Sequence, residues 1–334
     1  MPNSPASREI VRRTLRFENP PRMARNLLPP WGTDFAWAPP QRPIDARPHA
    51  RGRSRDEWGA VWESFGASSL GEVKEYPLAD WAMRDTLAIP DVHDPSRYAN
   101  FADLRRTHGD QYILVPVGSL YERAHFLRGL ENVWADIREE PDRLGELIDL
   151  LADQACAIAR RAAEADADGI ILTDDWGLQD RLMIDPADWR SIWKPRYARV
   201  MSEAKKHGMD VFMHSCGHIT AILDDLVEIG LDAIDMDQQQ NMGLETLSRW
   251  RGRLTFLSPV DIQATMATGD TAAIRAYARQ MVKALGGDRG GFIFKFYSDP
   301  AGAGHTPEAI EAMCGEFSAI NREYAVQRGA DAQW

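Results

Sequence analysis

The chain has 334 residues, 44% of them hydrophobic and 27% charged, and a formal net charge of -11. That composition belongs to a globular protein and excludes a disordered or fibrous one. The acidic balance also argues against nonspecific nucleic-acid binding, which needs clustered Lys and Arg, without forbidding a local basic pocket. No apolar run reaches the roughly 18 residues of a membrane span, residues 1–21 lack the apolar core of a secretory signal, and Cys156, Cys216 and Cys314 are too scattered for a disulfide framework. The expectation is a cytoplasmic protein with neither nucleic acid nor membrane as partner, folded as one domain over residues 1–334.

Ser7 to Arg16 carries Ile10, Val11, Thr14 and Leu15 at helical spacing. Eight prolines then fall between Pro20 and Pro48, and five of the eleven tryptophans between Trp31 and Trp81. Proline fixes φ and withholds a donor, so this stretch reads as extended, irregular segments laid over a scaffold. Tryptophan at such density packs loops that lack a regular core, or walls a site for a large flat ligand, with Trp31 a candidate.

From Gln111 onward short apolar runs alternate with helical patterns. The runs are 112–117, 169–175, 210–216, 233–237, 254–258 and 291–297, each of the length of a buried parallel strand. Between them Leu144 to Ala162, Ile219 to Val227 and Ile274 to Leu285 show helical spacing, the last ending at Gly286-Gly287. Thr306 and Pro307 mark the start of a final helix whose apolar face includes Cys314. Alternation of this kind predicts a parallel α/β sheet. An open doubly wound sheet and a (β/α)8 TIM barrel both fit it. The barrel is favoured because residues 1–110 can supply the missing strands and a cover for the mouth.

Each run ends in polar residues: Asp174-Asp175, His214-Ser-Cys216, Asp235 and Asp237, Ser258, Ser298-Asp299. In barrels the carboxyl ends of the strands surround the active site. Side chains alternate along a strand, so His214 and Cys216 share a face. An imidazole and a thiol side by side suit a zinc ion. The same spacing is also met by a hydrogen-bonded core histidine beside a small buried hydrophobe, and by a Cys–His nucleophilic pair. Asp174 and Asp175 point to opposite faces, so that one can serve the mouth while the other binds loop or helix N–H groups. Glu122, shortly after the first run, is placed to enter the same mouth.

These residues resemble the uroporphyrinogen decarboxylase-like superfamily, through Asp56-Glu-Trp-Gly59, residues 118–129, Asp174-Asp-Trp-Gly-Leu-Gln179, Trp193-Lys-Pro-Arg-Tyr197 and Phe212-Met-His-Ser-Cys-Gly217. The resemblance implies a distorted (β/α)8 barrel. The true decarboxylase carries an arginine motif for substrate carboxylates that the corresponding segment, Arg22-Met-Ala-Arg25, does not reproduce. The His-x-Cys element matches the branch of zinc-dependent methyltransferases that work with corrinoid (cobalamin) proteins. That branch completes its zinc site with a late cysteine. Residues 294–305 have none, which leaves Asp299, then His305, as candidate third ligand.

The resemblance therefore implies methyl transfer between a small-molecule methyl donor and a separate corrinoid protein. Zinc would be held by His214, Cys216 and Asp299. Glu122, Asp174 and Asp175 are the catalytic candidates, and Trp31, Tyr121, Trp176, Gln179 and Asp235 the substrate-binding ones. A decarboxylase of uroporphyrinogen or a related acid, and a non-catalytic corrinoid- or porphyrin-binding barrel, are the alternatives. A homodimer is compatible with the family.

Overall fold

The computed structural model describes residues 6–47, 51–65 and 71–329. Its strands are β1 (Ala24–Asn26), β2 (Phe35–Trp37), β3 (Gly52–Arg55), β4 (Val61–Ser64), β5 (Glu72–Glu75), β6 (Tyr112–Gly118), β7 (Gly169–Thr173), β8 (Asp210–His214), β9 (Ala233–Asp235), β10 (Thr255–Ser258) and β11 (Phe292–Lys295). Eight of them form one parallel sheet in the order β1-β11-β10-β9-β8-β7-β6-β2. Its two ends meet where the Asp34 N–H donates to the Arg25 carbonyl at 2.8 Å and Asn26 bridges Thr33. The ring is a distorted TIM-type barrel with helices outside.

Two apolar layers explain why these runs become strands. Ala24, Phe35, Tyr112, Leu114, Ile171, Phe212, Ala233, Leu257 and Ile293 pack together inside the ring, one or two from each strand. Their alternating neighbours, among them Ile113, Val115, Ile170, Leu172, Val211, Met213, Ile234 and Phe256, face the surrounding helices. The helix Ser7–Leu15 sends Ile10, Val11 and Leu15 into the interior layer and so plugs the amino end of the barrel. Each such buried aliphatic side chain contributes about 1.5–3 kcal/mol. Asp168, fully buried, anchors the plug by accepting from Arg8, from Arg12 at 2.9 Å and from Arg105 at 2.6 Å.

The helices run Pro141–Glu164, Thr271–Leu285 and Pro307–Val326 where the spacing predicts them, and the Thr306 hydroxyl accepts from the Ala309 N–H at 3.2 Å. The 219–227 pattern instead splits into a 3-10 turn, Thr220–Ile222, and a short helix, Leu223–Glu228. Residues 1–110 are less irregular than expected. Besides the plug helix and two barrel strands they hold an antiparallel sheet, β3-β4-β5. Its outer strands, Gly52–Arg55 and Glu72–Glu75, are polar and largely exposed, so apolar periodicity does not reveal them. Among the described residues, no helix is long and apolar enough to cross a membrane.

Candidate metal centre and barrel mouth

The carboxyl ends of β7, β8, β9 and β11 bring the polar residues together. Phe212 is part of the interior layer, and two residues on, His214 faces the same way from the last position of β8. The parallel ladder continues past the strand ends: the Asp174 N–H donates to the His214 carbonyl at 3.0 Å, and the Gly177 N–H to the Cys216 carbonyl at 3.1 Å. This seats the loop after β7 against the loop after β8. The Asp175 carboxylate (Oδ1) accepts the Cys216 N–H at 2.8 Å and lies 3.5 Å from His214 Nε2. The Cys216 thiol is 3.5 Å from the same Nε2.

Nitrogen, sulfur and oxygen thus converge on one point, with all three atoms within 4.8 Å of one another. For a tetrahedral zinc, bond lengths of about 2.0–2.3 Å require N–S and N–O edges of about 3.3–3.6 Å. The two 3.5 Å edges match that requirement. The donor set, one borderline nitrogen, one thiolate and one carboxylate, suits zinc as well. All three side chains are partly exposed toward the mouth, which leaves a fourth position accessible.

The other ring nitrogen is held from behind. His214 Nδ1 lies 3.5 Å from Asp235 Oδ1, and Asp235 is in turn ion-paired to Lys295, whose ammonium also donates to Asp237 at 2.7 Å. A carboxylate on Nδ1 is what metal-ligating histidines ordinarily have, because it fixes the tautomer and turns Nε2 outward. In the metal-free chain burial disfavours the charged imidazole, but Asp235 outweighs it and His214 stays protonated well above the usual histidine range. Burial pushes the Cys216 thiol up, with His214 opposing. A metal ion binding here therefore displaces protons.

The expected third ligand, Asp299, is not in this group. Its carboxylate accepts the Gly302 N–H at 3.0 Å in its own loop beyond β11. The carboxylate that stands beside the pair is Asp175, because β7 and β8 are neighbours and their loops are zipped together. His305 is also engaged elsewhere: it is buried, with Nε2 2.9 Å from the Ile262 carbonyl.

Asp174 has no access to the mouth. It is fully buried, and its oxygens accept the N–H groups of Leu120, Tyr121 and Glu122 at 2.8–2.9 Å and the Tyr197 hydroxyl at 2.6 Å. It anchors the first turn of the helix Tyr121–Arg128. Trp176 and Tyr121, proposed from sequence as substrate contacts, are core residues stacked on each other with ring centroids 4.0 Å apart. Asp235 is buried behind His214 rather than open to substrate. Gln179 is exposed and accepts from Asn241 at 3.0 Å, and Trp31 packs half-buried against the main core in the turn between β1 and β2.

Glu122 is close enough to Asp175 to feel its charge. It pairs with Arg47 at 3.0 Å, and Arg47 lies over the Trp62 and Phe126 rings. Burial pushes Glu122 up to about 7, with Asp175 and Asp45 adding to it and Arg47 opposing. One turn along, burial and the charges of Arg47 and Arg123 hold His125 down at about 4, so its ring is neutral. Arg47, His125 and Lys295 were not singled out from sequence, and Asp237 was noted only as a polar residue at a strand end. Asp237 stood at the polar end of an apolar run, and Lys295 was a single charge inside another.

The family model for uroporphyrinogen decarboxylase (URO-D) matches residues 73–316. The uroporphyrinogen decarboxylases of Bacillus cereus (strain B4264) and Bacillus anthracis are each 22% identical over 180 residues, 51% of this chain and 50% of theirs. The chain spans about half the length of these curated relatives. Among solved structures, a methyltransferase from Methanosarcina mazei is similar in fold, with TM-score 0.59 and 17% identity over 79% of this chain and 76% of that one. The chain belongs to the uroporphyrinogen decarboxylase family.

Proposed function

We propose that this protein is a zinc-dependent methyltransferase that works with a corrinoid carried on a separate protein. The observation that carries the reading is the convergence of His214 Nε2, Cys216 Sγ and Asp175 Oδ1 at the mouth, backed by Asp235 on Nδ1. His214, Cys216 and Asp175 would hold the ion, which supplies Lewis acidity toward a methoxy or methylamine-type substrate or an acceptor thiol. The chain's own groups do the rest. Asp235 and Lys295 keep the imidazole oriented. Glu122, protonated near neutral pH, is a proton donor for the group that departs when the methyl leaves. Trp62 and Phe126 pack under the Arg47 guanidinium that pairs with Glu122. The methyl donor is a small molecule, and the open mouth is where a partner carrying cobalt would approach.

The test is metal content. Purified protein is expected to hold one zinc per chain, and Cys216→Ser to lose it, with zinc affinity lower by on the order of 100-fold or more. Protein that is metal-free and turns over a porphyrinogen would overturn this reading in favour of a decarboxylase. Metal-free protein that binds corrinoid without turnover would favour an idle binding barrel.

Decarboxylation has one observation on its side, a buried Glu122 able to give or hold a proton. Against it, the arginines of the segment where the true decarboxylase grips carboxylates are turned to other work. Arg22 is buried and paired to Asp34 across the barrel seam. Arg25 follows Ala24, which faces the interior, so its own side chain leaves the other way.

Glu122 makes a pH prediction. Its folded carboxyl keeps its proton below about 7 and loses it above. Turnover that uses this proton falls as pH rises through about 7, and Glu122→Gln removes that limb while lowering kcat by about 100- to 10,000-fold. A kcat–pH profile of both proteins checks it. The same shift, from 4.5 unfolded to about 7 folded, means the native state binds the extra proton, so this contribution to stability declines as pH rises between those values.

A further inference from the structure

Behind the zinc candidate lies a second group with the makings of a cation site. His214, Asp235 and Asp237 place a ring nitrogen and two carboxylate oxygens within 4.8 Å of one another. Both carboxylates are almost fully buried. Two buried negative charges this close are untenable without a cation between them. Here the cation is the Lys295 ammonium, which donates to one oxygen of each carboxylate. It arrives from the last residue of β11, two strands along the sheet from β9, with β10 between them.

We propose that Lys295 is a positioning residue that stands in for a second metal ion: it fills the place between Asp235 and Asp237, confines the mouth to a single divalent ion, and pins Asp235 against His214. This rests on the reading of His214, Cys216 and Asp175 as the metal ligands. Its physical basis is that Asp235 Oδ1 is shared between the ammonium and His214 Nδ1. Lys295 thereby fixes which side of the imidazole the carboxylate occupies. It leaves Nε2 turned to Cys216 and Asp175, 3.5 Å from each. A tethered ammonium also differs from a metal in reach. Its stem is anchored in the sheet, and its three donors cannot accept a thiolate or a water as ligand. Removing it leaves two buried carboxylates, an oxygen-donor cleft of the kind that takes Mn2+, Co2+ or Mg2+.

The experiment is metal titration of the full chain with Co2+ in place of zinc. It is read by elemental analysis after dialysis and by the thiolate-to-cobalt absorption that only a Cys216-bound ion gives. Wild type is expected to bind one Co2+ with that absorption. Lys295→Ala is expected to bind two, the second adding no thiolate absorption. Lys295→Arg, which keeps a cation in place, is expected to bind one, and so is Lys295→Ala combined with Asp237→Asn. A Lys295→Ala protein that binds a single ion with wild-type affinity and absorption overturns the inference and leaves the zinc reading standing. A wild type that binds no ion overturns both.

Lys295→Ala leaves two buried carboxylates uncompensated and is expected to lower Tm by on the order of 10 °C. Melting in chelator and in millimolar Mn2+ then decides between roles. Recovery of the lost Tm in Mn2+, beyond any rise shown by wild type, supports a cation stand-in. A deficit that Mn2+ does not touch means that Lys295 only packs, and overturns the inference.

Discussion

Asp174→Ala is expected to unseat the helix Tyr121–Arg128, while its neighbour Asp175→Asn leaves the fold intact and removes the metal. The two carboxylates are adjacent in sequence and opposite in task. Asp174 is fully buried and takes four hydrogen bonds, three from the N–H groups that open this helix and one from Tyr197. Alanine leaves all four donors unpaired in a water-free interior, at a cost of about 3–5 kcal/mol. Even Asp174→Asn is not benign. Its amide would turn an NH2 toward the Leu120 N–H, which needs an acceptor. Since Glu122 sits in the first turn of that helix, the mouth loses its acid along with stability.

Asp175 is partly exposed, and its one backbone partner, the Cys216 N–H, can be kept by an amide oxygen. Its stability change is expected to stay within about 0.5 kcal/mol, as for most surface substitutions. Its zinc affinity is expected to fall on the order of 100-fold, because a neutral amide replaces a charged ligand. Melting curves and metal content of the two variants, measured side by side, check the division. A stable, zinc-free Asp174→Asn, or an unstable, zinc-replete Asp175→Asn, would reverse the assignment.

The barrel was legible because burial on both faces makes a parallel strand apolar throughout. Residues 112–117, 169–175, 210–216, 233–237, 254–258 and 291–297 carry that signal, and each became a strand. Strand ends were legible to within two residues, since polarity resumes where the chain turns into the mouth. β1 and β2 were not located individually, being three residues each and flanked by proline. The small sheet β3-β5 was missed because its outer strands bury little.

At the site, the alternation rule placed His214 and Cys216 on one inward face, and it gave Asp174 and Asp175 their opposite faces. It could not say which of the two looks inward. That depends on the loop after β7 being drawn against Cys216, a contact between strands that spacing within one strand does not encode. Asp299 was chosen as third ligand on position in the chain, whereas the carboxylate that stands beside the pair, Asp175, comes from the loop after the neighbouring strand. Lys295 hid in an apolar run, where a single charged residue matters only once Asp235 and Asp237 are known to face it.

Gly177→Ala is expected to remove the metal site without touching a ligand. The loops after β7 and β8 lie backbone on backbone. The Gly177 N–H donates to the Cys216 carbonyl at 3.1 Å, and the His218 N–H to the Leu178 carbonyl at 2.7 Å. A Cβ on Gly177 would overlap the His218 nitrogen and the Gly217 carbonyl carbon and lie 2.7 Å from the Cys216 oxygen. Gly217 faces it with φ +75°, and a Cβ there would meet the Gly177 backbone in return. Neither obstacle is a side chain that can swing away, so the loops must separate. The loss is about 2–3 kcal/mol of stability, together with the seating of Asp175 on the Cys216 N–H.

Metal sites tolerate such displacement poorly, and zinc affinity is expected to fall on the order of 100-fold. Gly252→Ala is the control. It too has a positive φ, +79°, but open space where its Cβ would go. It is expected to cost about 1–2 kcal/mol of backbone strain and to leave zinc unchanged. If Gly177→Ala kept its zinc while losing stability like Gly252→Ala, the ion would be held somewhere other than between these two loops. His214 and Cys216 would then share a face of the barrel without sharing a metal.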